Sequence, residues 1–180
     1  MSAVSDALRP DIIGYGLSVM ATRLLVDYLP SELESIVGSR QASAIIARVS
    51  SRGAYEGFRA FLEKLGTRKS MDIDSLLRLF VKSGEQLHPF QVFTLVEKNG
   101  EDYVLKFDET VAERMKKTPS VAAVFGGVIA GCLSAIGLSA RFAPSEDALR
   151  TMCLSKTRPR YIVVSQESSL IIKKLKCNRD

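Results

Sequence analysis

Apolar residues along this chain keep two rhythms, a helical one first and an alternating one later, with the change near His88-Pro89. Residues 11–29 hold Ile12, Ile13, Tyr15, Gly16, Val19, Met20, Leu24 and Val26 in helical step, and Pro30 is positioned to stop them. Ser31 with Glu34 at the capping-box position predicts a short turn or helix, which pauses at Gly38. Residues 40–65 read as one long helix with Ala44, Ile45, Val49, Tyr55, Phe58, Phe61 and Leu62 largely on one face and Gly66 at its end. After a basic loop at residues 67–70, Asp72 or Asp74 opens a third helix through Leu76, Leu77, Leu79, Phe80 and Val81, ending at Gly84. Residues 90–96 and 103–107 are β-rich and flank Glu97-Lys98-Asn99-Gly100, where Asn-Gly is the strongest short hairpin signal. A connector at 110–117, a helix or turn at 146–154 and a strand at 161–165 complete the body. Helices followed by strands with helices inserted predict an α+β domain on a small antiparallel sheet. The expected organisation is a frayed start at 1–10, one domain at 11–167 and a basic tail at 168–180.

Residues 118–142 stand apart from the rest. Thr118 suits an N-cap, Pro119 the first helical position and Gly137 the stop, with an exit strand at 138–142. Ala123, Gly127, Gly131 and Ala135 form one smooth stripe, and Val124, Phe125, Val128, Ile129, Leu133 and Ile136 crowd the remaining surface. A glycine inside a helix costs about 1 kcal/mol against alanine, so Gly126, Gly127 and Gly131 imply that something approaches the backbone closely. A packed strand or helix meets that need, and so does a bound apolar chain. The second version defines a cavity beside Phe125, Gly126, Gly127, Val128, Ile129, Gly131, Cys132 and Leu133, continuous with Phe58 and Leu62. The uncharged run 120–140 reaches the length of about 20 residues that a membrane span needs, but its four glycines and three serines make it a buried core helix.

With 180 residues, 46% apolar and 25% charged, one domain can bury a core without metals or disulfides. The net charge of +5 is concentrated: Lys173, Lys174, Lys176 and Arg179 against Asp180 leave the body close to neutral, so no nucleic-acid partner is expected. The tail alternates aliphatic and basic residues through Leu170, Ile171, Ile172, Lys173, Lys174 and Leu175, which suits either an anionic membrane surface or a solvated tail. Cys177 stands fourth from the end, but Asn178-Arg179-Asp180 is no prenylation signal. Cys132, Cys153 and Cys177 are odd in number and widely spaced, and they read as reduced thiols. No secretory signal opens the sequence, so a cytoplasmic protein is expected.

Candidate chemistry is sparse. His88 is the one histidine, no G-x-S-x-G elbow or phosphate loop occurs, and the carboxylates are scattered. No catalytic residue, metal site or obligate cofactor is therefore expected. Arg48, Arg52 and Arg59 lie opposite the apolar face of the long helix, without aromatic platforms, and read as a solvated face.

Phe125-Gly126-Gly127-Val128-Ile129-Ala130-Gly131, running on to Gly137-Leu138-Ser139-Ala140-Arg141-Phe142, resembles the signature of two related groups. These are the small TRAPP tethering-complex subunits of the Bet type and the prokaryotic vinyl-reductase-type (4-vinyl reductase) domains. The likeness extends to Tyr28-Leu29-Pro30, to Gly53-Ala54-Tyr55-Glu56-Gly57-Phe58, to the helix at 73–81 and to the hairpin. It implies an α+β fold with a four-stranded antiparallel sheet, of the ligand-binding type shared with haem-nitric-oxide sensors. It also implies an apolar pocket opening beside the second helix and the Gly-rich helix. The acylated cysteine of some TRAPP subunits is replaced by Gly66-Thr67-Arg68-Lys69-Ser70. Cys153 matches the first cysteine of the vinyl-reductase-type pair, whereas Arg160 stands near the second and Thr157 replaces the glycine.

The expectation is a non-enzymatic module that binds a small apolar, acyl-like ligand such as a fatty acid, assembles with like subunits, or does both. The alternative is a sensor or enzyme acting on a tetrapyrrole or other apolar ligand. Pairing as a homo-dimer or with a related subunit is expected through the first two helices, where Ile12, Tyr15, Val19 and Val26 spread more apolar surface than one core-facing stripe needs.

Overall fold

The computed structural model describes residues 19–21, 23–66, 71–86 and 92–177, with positions 83–86 given by backbone alone. The expectations for residues 1–10, Ile12, Tyr15, the loop at 67–70, His88 and residues 178–180 lie outside the described residues. A π-helical turn, Arg23–Tyr28, runs straight into α1, Leu29–Val37, so Pro30 does not stop the helix. Proline offers no N–H for the preceding turn and crowds the carbonyl four residues back; the wider π turn fits that loss. Gly38, at φ 80°, then breaks the helix before α2, Ser39–Leu65, which ends on Gly66 in the left-handed region at φ 66°. Asp72 accepts from the Ser75 N–H at 2.8 Å and starts α3, Ile73–Gln86, which runs through Gly84.

Strands β1, Phe93–Asn99, and β2, Asp102–Phe107, form the hairpin. Asn99 pairs with Asp102, so the two-residue loop is Gly100-Glu101, one position later than Asn-Gly suggested; Gly100 takes the single positive φ, 63°, in that loop. Asp108 caps α4, Glu109–Lys117, by accepting from Thr110 N–H at 2.9 Å. Next come α5, Val121–Ala135, β3, Ala140–Ala143, α6, Glu146–Leu154, β4, Tyr161–Gln166, and β5, Ser169–Lys174. Helix α5 starts later than Thr118-Pro119 implied, because residues 118–120 form a turn. There the Ser120 N–H donates to the Glu34 carboxylate at 2.7 Å, placing an anion from α1 on the positive end of α5.

The sheet has five strands in the order β1-β2-β5-β4-β3 and is mixed, not four-stranded antiparallel. Strands β3 and β4 are parallel, since α6 carries the chain back to the end at which β3 began. A second correction concerns residues 168–180. Ser169–Lys174 is the middle strand, hydrogen-bonded to β2 on one side and β4 on the other, with Leu170 and Ile172 fully buried. The aliphatic–basic alternation of this stretch is a strand pattern whose aliphatic side faces the core. No single helix among the described residues is long and apolar enough to cross a membrane.

Helix α5 lies between the sheet and α2. On its sheet side Phe142 of β3 covers Gly126, where a Cβ would overlap the phenyl ring. On the other side Gly127 faces Ala47 and Ser50, and Gly131 faces Ser51, Ala54 and Tyr55. A Cβ on Gly127 would stand 2.7 Å from the Ala47 carbonyl oxygen, and one on Gly131 would strike the Ser51 carbonyl. The glycines thus serve close packing of helix on helix and helix on strand. Gly53 and Gly57 of α2 have open space at their Cβ positions. Gly131→Ala is therefore expected to destabilise the protein by about 1 to 3 kcal/mol through overpacking, and Gly53→Ala to stabilise it by about 0.5 to 1 kcal/mol. Chemical denaturation of the two variants beside the parent checks both signs.

Candidate functional site

The residues expected to line a core cavity are spread over several packed environments. Phe125 is half-buried in an aromatic cluster, 6.1 Å from Phe93 and 5.6 Å from Phe107 between ring centroids. Ile129 and Leu133 are fully buried, Cys132 is nearly so, and Val128 is half-buried against the core. Gly126, Gly127 and Gly131 face Phe142 and the α2 backbone as described. Leu62 is fully buried, and Phe58 stacks on Phe61 at 5.8 Å. None of these residues lines any of the three clefts described next.

The largest of the three, about 660 Å³, lies where Arg40 of α2, Lys116 of α4, Pro144 after β3 and Glu167 of the β4–β5 turn meet. A second, about 620 Å³, continues along the same side of the molecule, sharing Phe142 and Pro144 with the first. Its apolar lining comes from Ala44 and Ala47 of α2, Phe142 and Pro144 of the β3 region, and Ala148 and Met152 of α6. Its polar lining is Ser51, Tyr55 and Ser134, together with Arg48, Arg52 and Arg141. A third, about 450 Å³, sits between α3 and β1 and mixes charged with apolar groups, with Lys98 4.0 Å from Asp74 and above the Tyr103 ring.

The 620 Å³ cleft combines an apolar floor with a cationic rim, and local structure explains both. Small residues on α2, required for its approach to α5, leave room beside Ala44 and Ala47. Strand β3 delivers Phe142 to the floor and Arg141 to the exposed rim. Arg52 is held by Glu56 at 2.9 Å, Arg141 reaches the Thr157 hydroxyl at 3.5 Å, and Arg48 makes no hydrogen bond or ion pair among the described residues. The sequence singled out Arg48 and Arg52 as a set but showed Arg141 only as part of the exit strand, and the fold brings it to them from that distant segment. The third arginine of that set, Arg59, is paired with Glu63 at 2.8 Å.

Helix α6 forms one wall of this cleft and has no fully buried residue. Two ties hold it. The exposed pair Arg40–Asp147, at 3.1 Å, links it to α2. The other is a disulfide between Cys153 and Cys177, with Cα atoms 5.6 Å apart, which fastens it beyond the end of β5. The disulfide corrects the reading of all three cysteines as reduced thiols: the separation of 24 residues in sequence vanishes once α6 packs beside β3 and β5 crosses the sheet. Only Cys132 is free, and burial raises its thiol pKa to about 12, which removes it from nucleophilic or redox work at neutral pH.

No protein-family model matches the sequence, and no curated protein is significantly similar to it.

Thiol titration under non-reducing conditions is expected to find no reactive group in the native protein, one after denaturation and three after denaturation with reduction. Reduction is also expected to lower stability by about 3 to 4 kcal/mol, the chain-entropy figure for a loop of this length. Three reactive thiols in the denatured, unreduced protein would overturn the pairing.

Proposed function

We propose that this chain is a non-enzymatic module that holds a small apolar, acyl-like ligand in the cleft between α2 and the β3–α6 unit, and that it pairs with a like subunit. The observation that carries the ligand is the 620 Å³ cleft itself, where Pro144, Ala148 and Met152 stand at least partly exposed above a floor that includes the buried Phe142. That volume lies within the range of about 300–1,000 Å³ in which small molecules are bound. Its polar lining consists of hydroxyls and guanidinium groups, with no carboxylate, imidazole or thiol to carry a proton, and this supports binding over turnover. The resemblance to small TRAPP subunits and vinyl-reductase-type domains supports the same reading. The order of long α2, hairpin and Gly-rich α5 is the part of the fold on which that likeness rests.

Pairing rests on exposed apolar side chains near the N-terminal side of the described chain and along α2. Met20, Leu24 and Tyr28 are 68%, 58% and 59% exposed, and Val49 and Phe61 of α2 are 62% and 46% exposed. Val26, expected on that face, is instead buried in the core. Helical faces of this kind are covered in stable assemblies.

Ala148→Trp, which fills the cleft from the α6 wall, is expected to weaken saturable binding of a fluorescent fatty acid about tenfold or more, the equivalent of about 1.4 kcal/mol. Unchanged binding would remove the ligand from this cleft, and a Soret band in the purified protein would replace the acyl ligand with a tetrapyrrole. Light scattering is expected to show a species larger than 19.8 kDa; that mass alone at micromolar concentration would overturn self-pairing.

A further inference from the structure

We propose that Arg48, Arg52 and Arg141 form a head-group site at the rim of this cleft, so that the ligand is an amphipathic monocarboxylate. The inference rests on the cleft reading above and adds which end of the ligand is recognised. Arg48 and Arg52 stand one turn apart on α2, and Arg141 arrives from β3 to line the same cleft. Like charges at that helical spacing repel, which disfavours the arrangement unless an anion lies among them. The cleft lining contains no carboxylate to supply that anion from within. Glu56 engages Arg52 from outside the lining, Arg141 touches only a neutral hydroxyl, and Arg48 has no partner among the described residues.

Guanidinium is a planar fork whose paired N–H groups match a carboxylate, and it is weakly hydrated compared with an ammonium group. Three such groups beside one apolar floor discriminate both ends of a ligand. The head seeks Arg48 and Arg141, the two without a carboxylate partner, and the tail runs over Phe142 towards Met152. Arg59 makes an internal control, since it belongs to the same helix, lies outside the cleft lining and is paired with Glu63.

Dodecanoate and dodecanol share a chain and differ in head-group charge, so calorimetric titration of the full-length protein with each separates the two ends. Wild type is expected to prefer dodecanoate about tenfold or more, in line with charge-assisted pairing. Arg48→Gln and Arg141→Gln are each expected to remove most of that preference while dodecanol binding stays in place, and Arg59→Gln to keep it. Arg48 and Arg141 are exposed, so thermal unfolding of these variants is expected to match wild type. Equal binding of the two ligands by wild type would overturn the head-group site and leave the apolar cleft standing. Binding of neither would overturn the proposal together with the cleft reading. Displacement of dodecanoate by an equal concentration of inorganic phosphate would overturn the amphipathic assignment in favour of a small anion.

Discussion

The approach of α5 to α2, backbone against backbone at Gly127 and Gly131, is the contact on which the rest of this structure depends. Two helices come this close only when both sides are small, and α2 answers the glycines with Ala47, Ser50, Ser51 and Ala54. Helix α5 is then held at a fixed depth, and its other face meets the sheet through Gly126 and Phe142. Since α5 leads through Gly137, at φ 89°, directly into β3, its position also sets where Arg141 and Phe142 stand relative to α2. The cleft is the space left beside that seam. Its floor and its rim are consequences of helix packing, which explains why the glycines matter to it without lining it.

Much of the α-helical part was legible because each signal there is local. The long helix ending on Gly66, the Gly-rich helix ending at Gly137 and the Asp72 start are caps, stops and periodicities confined to a few residues. Pro30 misled because a π-helical turn can absorb a proline that an α-helix cannot, and no residue in that turn announces it. In the hairpin, Asn-Gly signalled a reversal, but the loop residues are decided by pairing across the strands, which put Gly100 first and left Asn99 in β1.

The sheet and the site were far less legible, because both depend on which distant segments meet. Parallel pairing of β3 with β4 follows from α6 lying between them, while the sequence shows only two short apolar runs. Ile171, Lys173 and their neighbours alternate, and alternation alone fits a strand or a surface segment; the partners on both sides decide it. Cys153 and Cys177, two of an odd number of cysteines, read as reduced thiols until β5 and α6 were placed. The glycine stripe carried two readings, and the carbonyls of Ala47 and Ser51 select the packed one. Arg48 and Arg141 share no local signal at all.

The position of β5 also has a consequence for how such a chain is made. It is the bridge between the β1–β2 hairpin and the β3–β4 pair, and it leaves the ribosome after every other strand of the sheet. A nascent polypeptide still short of Ser169 can build α2, dock α5 against it and close the hairpin, yet it exposes two unpaired inner edges, on β2 and on β4. Exposed strand edges are templates for pairing with other chains. Insertion between them closes contacts remote in sequence, a step slow by its topology. When β5 takes its place, Lys106 of β2 faces Ser169, and Lys174 meets Glu101 of the hairpin loop at 2.6 Å.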